Sequence, residues 1–152
     1  MANTKPVGVA YSDPDLSSGT IDNTPIGAVT PNTFVGTTVY ATSEIGYSAA
    51  AQGAVTQLTD KATAVTLNNS AGRITMNAAS LAATTNVTFT LTNSLLTAKD
   101  VLILNVTNGT SAAYNCWVSS MGAGSATITL RNISASPLAE AVVINFAIIH
   151  CA

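Results

Sequence analysis

Val87-Thr88-Phe89-Thr90-Leu91-Thr92 is the stretch that decides the fold class. Val87, Phe89 and Leu91 take alternate positions and threonines fill those between. Successive side chains of a strand point to opposite faces, so this pattern predicts a half-buried strand with one apolar and one hydroxyl face. The same period of two recurs on either side. Ile128 and Leu130 alternate with Thr127, Thr129 and Arg131, and Tyr114, Cys116 and Val118 alternate with Asn115, Trp117 and Ser119. Further strands are predicted around Leu58, between Gln57 and Thr59, and over residues 64–67 and 73–77. Val101-Leu102-Ile103-Leu104 and Val142-Val143-Ile144 are apolar on both faces. Such strands are covered on both sides, by a central position or by a neighbouring subunit.

The connections carry turn chemistry. Asn108-Gly109 and Asn68-Asn69 can take positive φ, and Gly122-Ala123-Gly124 suits a hairpin. Residues 78–83 and 137–141 are each long enough for about one helical turn and no more. The sum is roughly eight strands over about 100 residues, an all-β sandwich or jelly roll. Residues 73–91 and 126–146 share a weak strand–bridge–strand rhythm that falls short of a repeat. Ahead of this module, residues 1–47 hold Pro6, Pro14, Pro25 and Pro31 and a scatter of glycines. Short apolar runs broken by turns predict an extended arm ordered by contact with something else. The expected organisation is therefore an arm over 1–47 and a β module over 48–152.

Composition narrows the function. Of 152 residues, 47% are hydrophobic but only 8% are charged, against roughly 25% in ordinary soluble domains. The net charge is −2 and the mean hydropathy +0.39. A surface so short of charge is poorly protected against association, which predicts an oligomer with apolar surface buried between subunits. Lys5, Lys61, Arg73, Lys99 and Arg131 are scattered, so neither a nucleic-acid footprint nor a polybasic membrane patch is expected. The longest apolar stretch, residues 142–149, is far shorter than a membrane-spanning helix of about 20 residues. The N-terminus lacks the apolar core of a signal peptide, and synthesis in the cytosol is the expectation.

The search for chemistry returns little. The single histidine, His150, has Glu140 as its nearest acid in sequence, ten residues back across a strand, with no nucleophile motif beside it. A strand-end or subunit-axis histidine is the expected role. The seven carboxylates are spread over turns and loop edges, and the aromatic side chains needed for a sugar-hydrolysing groove are few. Asp13, Asp15 and Asp22 match no calcium loop, and Cys116 and Cys151 are too few for a zinc site or a disulfide framework. Catalytic, cofactor and metal sites are all expected to be absent. The Asn-x-Ser/Thr triplets starting at Asn68, Asn86, Asn105, Asn108 and Asn132 are expected by chance in a chain rich in Asn and Thr.

Several segments resemble a known family. Thr20-Ile21-Asp22-Asn23-Thr24-Pro25-Ile26-Gly27 is similar to a recurrent segment of tailed-bacteriophage fibre and decoration proteins. Gly53-Ala54-Val55-Thr56-Gln57-Leu58-Thr59, Gly72-Arg73-Ile74-Thr75-Met76-Asn77, Phe89-Thr90-Leu91-Thr92-Asn93-Ser94, Ile128-Thr129-Leu130-Arg131-Asn132 and Asn145-Phe146-Ala147-Ile148-Ile149 resemble a small C-terminal domain of phage head fibres, capsid decoration proteins and tail-fibre tips. The resemblance implies a homotrimeric virion protein without catalytic residues. An arm of this length can grip a capsid lattice but cannot build a shaft, so the expectation is a capsid decoration (cement) protein or short head fibre on the virion surface, bound to the major capsid protein. The alternative is the receptor-binding tip of a tail fibre, with a host receptor as partner. The candidate anchoring residues are Val7, Val9, Tyr11, Leu16, Ile21, Ile26, Phe34, Val35 and Tyr40. The candidate subunit-interface residues are Leu102, Leu104, Val143 and Ile149.

Overall fold

The computed structural model describes residues 36–151. Residues 36–42 are exposed and carry no regular structure, and a compact unit starts at Ser43. After a single 3-10 turn, Ala49–Ala51, eight strands follow: β1 (Gln52–Thr56), β2 (Val65–Thr66), β3 (Ala71–Thr75), β4 (Asn86–Thr92), β5 (Val101–Asn108), β6 (Tyr114–Gly122), β7 (Ser125–Asn132) and β8 (Val143–Ile149). They form two mixed four-stranded sheets, β1-β3-β8-β5 and β2-β4-β7-β6. The protein is all-β, as the alternation predicts. Among the described residues no helix is long and apolar enough to cross a membrane.

The chain changes sheet at every connection except the β6–β7 hairpin. The parallel pairs follow from this path. β1 pairs with β3 and β2 with β4 in parallel, because each strand's successor lies in the opposite sheet and serves as the crossover. The other pairings are antiparallel, with β7 between β4 and β6 and β8 between β3 and β5. The strand period then sorts the side chains. Ile74, Ile144, Phe146, Ile148 and Leu102 line the inner face of one sheet, and Phe89, Leu91, Ala126, Ile128 and Leu130 that of the other. Met76, Leu81, Leu96 and Val142 close the ends of this core.

Two glycines allow the parallel β1–β3 pair to be capped from inside. Gly53 and Gly72 are register partners, and Leu67 packs over both. A Cβ on Gly72 would stand 2.7 Å from Leu67 Cδ2 and 2.9 Å from the Gly53 carbonyl oxygen. The second of these is backbone and cannot swing away.

Buried carboxamides hold the loops. Asn132 Nδ2 donates to the carbonyls of Leu81, Ala82 and Ser136, while its Oδ1 accepts from Ser134 N–H and Oγ–H. Asn93 Nδ2 donates to the Asn69 carbonyl and its Oδ1 accepts the Leu95 N–H. Gln57 Nε2 donates to the Lys61 and Thr63 carbonyls and its Oε1 accepts the Asn77 N–H. All three residues are buried.

Two local expectations are corrected. The first strand ends at Thr56, so Gln57 to Thr59 lie beyond it and Leu58 is 85% exposed. Gln57 is buried there because its amide, not its alternation, places it. Residues 78–83 and 137–141 form no helical turn; Leu81 and Leu138 instead make an isolated antiparallel bridge. The turn expectation at Asn108-Gly109 holds, with Gly109 at φ +135°, and Gly124 at φ +78° turns the hairpin.

Two stability outcomes follow. Gly72→Ala lowers stability by about 1–3 kcal/mol through overpacking, whereas Gly122→Ala, whose added Cβ meets nothing closer than 3.8 Å, stays within about 0.5 kcal/mol of the parent; equilibrium urea unfolding of the two variants measures both. Asn132→Asp sets a buried carboxylate oxygen with no donor against three carbonyls and costs about 3–5 kcal/mol at neutral pH. Acidification to pH 4 narrows that loss, because a protonated carboxyl regains one donor; thermal melts at the two pH values test the sign.

Candidate functional site

The chemistry-bearing side chains collect at the two ends of the sandwich. Antiparallel register between β5 and β8 sets Val101 opposite Ile149, which brings the flanking residues Asp100 and His150 together. His150 Nδ1 lies 3.0 Å from Asp100 Oδ2. The carboxylate also accepts the Thr97 N–H at 2.8 Å and the Cys151 N–H at 3.1 Å. Desolvation pushes the Asp100 carboxyl up, but the Thr97 and Cys151 N–H groups, the Thr97 hydroxyl and His150 outweigh it and hold the pKa down at about 2. An imidazole oriented by a carboxylate is two-thirds of an acyl-transfer triad. Among the described residues no serine, threonine or cysteine hydrogen-bonds its other ring nitrogen, Nε2, and the Cys151 thiol turns toward the Ile149 carbonyl at 3.9 Å. The pair works as a clasp: it fastens the chain beyond β8 to the start of β5.

The opposite end holds Lys61, Tyr114 and Glu140. Lys61 is only 3% exposed, and its Nζ donates to the carbonyls of Asn77 and Glu140, each at 2.6 Å. Burial pulls its ammonium below the ordinary range, and the Glu140 carboxylate partly offsets this. Glu140 Oε1 accepts the Thr110 N–H at 2.8 Å, the leading cause of its lowered pKa. Burial, then the neighbouring Glu140 carboxylate, pushes the Tyr114 phenol up, although among the described residues no group meets its hydroxyl in good hydrogen-bond geometry. Lys61 and Glu140 thereby tie together four connections, β1–β2, β3–β4, β5–β6 and β7–β8. Cys116 and Cys151 are both free thiols, and burial pushes Cys116 up to about 11, where a thiol is a poor nucleophile. Among the described residues no three His, Cys, Asp or Glu side chains gather in a way that would hold a metal ion.

The outer faces of the two sheets differ in chemistry. On the β1-β3-β8-β5 sheet, Val101 stands opposite Ile149, and Ile103, Ala147 and Ala71 form the next row. Asn105, Asn145 and Arg73 form the row after that, and Asn145 Oδ1 is buried with no hydrogen-bond partner among the described residues. On the β2-β4-β7-β6 sheet the outward residues are mostly hydroxyls. Thr129 bonds both Thr88, at 2.9 Å, and Ser119, and Ser120 bonds Thr127 at 2.9 Å. Trp117 lies on this face opposite Thr129, at the β6 edge.

The residues named from the sequence are distributed as follows. Val7, Val9, Tyr11, Leu16, Ile21, Ile26, Phe34 and Val35 lie outside the described residues. Tyr40 is 90% exposed. Leu102 is a core residue, and Leu104 packs partly buried against the core and lines the cleft between β5 and β6; Val143 and Ile149 point the other way, onto the outer face. The exposed apolar partners of Ile149 are Val101 and Ile103, which the sequence reading passed over. Asp100 was missed as the partner of His150, because only the β5–β8 register joins them.

No family model matches the chain, and no curated protein or solved structure matches it.

The Asp100 clasp sets a pH dependence. A carboxyl whose folded pKa lies below its unfolded value, about 3.9, stabilises the fold above that value and loses its contribution as pH falls toward about 2. Asp100→Asn therefore lowers Tm at pH 6, and the gap to the parent closes between pH 4 and pH 2. A gap that stays constant over this range in thermal melts would show that the carboxylate's charge is not what matters.

Proposed function

We propose that the chain is a non-enzymatic structural protein of a tailed-phage virion, which decorates and stabilises the capsid as a homotrimeric cement protein or short head fibre. The observation that carries this reading is the surface. Val101, Ile103 and Ile149 stand about half exposed on one outer face of a sandwich whose chain is only 8% charged. Surface of this kind suits subunits that are buried against one another in a permanent assembly. The segments that resemble phage decoration and fibre modules supply the biological setting. In this reading the residues before the sandwich grip the major capsid protein, and several modest contacts from one oligomer act together through high effective concentration. Binding only to the mature shell then stabilises it by mass action.

The polar centres support a structural role. The ionisable groups at both ends of the sandwich are engaged in fastening loops and strand ends: Asp100 with His150, Thr97 and Cys151, and Lys61 with two carbonyls.

Co-sedimentation tests the proposal. The full chain is mixed with phage shells stripped of accessory proteins, and in parallel with host cells. Saturable binding to shells and none to cells is expected, and removal of residues 1–20 abolishes it while leaving circular dichroism unchanged. Binding to cells and not to shells would overturn decoration in favour of a receptor-binding fibre tip.

A further inference from the structure

β5 and β6 are the edge strands of their respective sheets and lie on the same flank of the sandwich, joined by residues 109–113. Edge strands are ordinarily blunted by short length, charge, proline or cover. These two are eight and nine residues long, and their sequences, VLILNVTN and YNCWVSSMG, contain no charged residue and no proline. Each has one register irregularity, at Val106/Asn108 and Val118/Ser120. The flank does not close over the core. Leu104, Val106, Tyr114, Cys116 and Val118 are only partly buried, and a cleft of about 260 Å³ opens between the two strands.

Asn105 and Asn115 also line this cleft, so its mouth is polar but uncharged. Exposed apolar side chains flank it on both rims, Val101, Ile103 and Ile149 on one side and Trp117 on the other. The nearest charges frame the strip without entering it: Asp100 and His150 at one end, Glu140 at the other, and Arg131 one strand inward.

We infer that the β5/β6 flank is the surface through which one copy of this chain packs against another. The occupant follows from charge. Burying a partner's charged groups against a strip that offers no counter-charge costs several kcal/mol for each group. An ordinary partner surface carries charges throughout, whereas this chain presents large areas without any. Size agrees. Eight residues of strand span about 27 Å, and two sheets about 10 Å apart with both rims make a strip roughly 20 Å wide. That is on the order of 600 Å² per subunit, close to the roughly 800 Å² per partner of a standard interface. The unpartnered Asn145 Oδ1 sits on the same sheet, opposite Asn105 of β5.

This inference deepens the oligomeric part of the proposed function and rests on it. Size-exclusion chromatography with light scattering, on the full chain, is the test. The parent is expected to run at a multiple of 15.3 kDa. Ile103→Lys, an outward change on β5, is expected to run as a single chain with an unchanged circular-dichroism spectrum. Val101→Lys serves in its place if that variant does not fold. Thr92→Lys, on the outer face of β4, is expected to keep the parent's mass. A folded β5 variant that keeps the parent's mass overturns the flank as the interface but leaves self-assembly standing. A parent that runs as a single chain overturns both.

Discussion

Everything in this protein hangs on one slab of aliphatic side chains between two short sheets. Ile74, Ile144 and Ile148 on one side meet Leu91, Ile128 and Leu130 on the other, and all six are fully buried. Each contributes about 1.5–3 kcal/mol of gross stabilisation by leaving water. No disulfide joins the two cysteines, and the described residues hold no α-helix to brace either sheet. The path of the chain multiplies the effect. It changes sheet at nearly every connection, so each loop spans the edge of the slab, and no sheet can leave without unwinding the other.

A slab of this kind leaves a problem at its ends, where loop carbonyls and N–H groups are buried beside it. The chain solves it with neutral amides. Asn132, Asn93 and Gln57 each donate and accept at once, which a carboxylate or an ammonium cannot do, and none carries a charge that burial would penalise. Lys61 and Asp100 are the exceptions: two carbonyl oxygens at 2.6 Å offset the desolvation of the first, and the Thr97 and Cys151 N–H groups that of the second. The low charge of the chain is thus not only a surface property. The polar work of its interior is also done mostly by uncharged groups.

What could be read from the sequence was set by distance along the chain. The β4, β6 and β7 strands were legible because alternation is local and their two faces differ in polarity. The buried position of Gln57 was not, because a polar side chain beside an exposed leucine reads as strand surface. The Leu81–Leu138 bridge and the Asp100–His150 pair depend on partners about 50 residues away or more, which no local period encodes. The choice of Leu102 and Leu104 over Val101 and Ile103 as interface candidates has a different origin. In Val101-Leu102-Ile103-Leu104 both parities are apolar, so alternation cannot tell which two residues face the core. The structure sends Leu102 and Leu104 inward and leaves Val101 and Ile103 outside.

That choice of parity bears on how so neutral a chain can have a surface at all. With few charges to deploy, the two outer faces are distinguished by hydroxyl against methyl. On the β4–β7–β6 face the exposed Thr88 and Ser119 both bond the buried Thr129, so their hydroxyls are held in fixed positions and still meet water. On the β8–β5 face the rows beside the edge strand are Val101, Ile149, Ile103 and Ala147, which offer water nothing. The proposed closure of the methyl-rich flank against a second copy would remove the worse-solvated surface and leave the hydroxyl-rich face to the medium. Under the proposed self-association β5 needs no charged gatekeeper: a covered strand edge has no need to repel, and a lysine there would have to be buried on assembly.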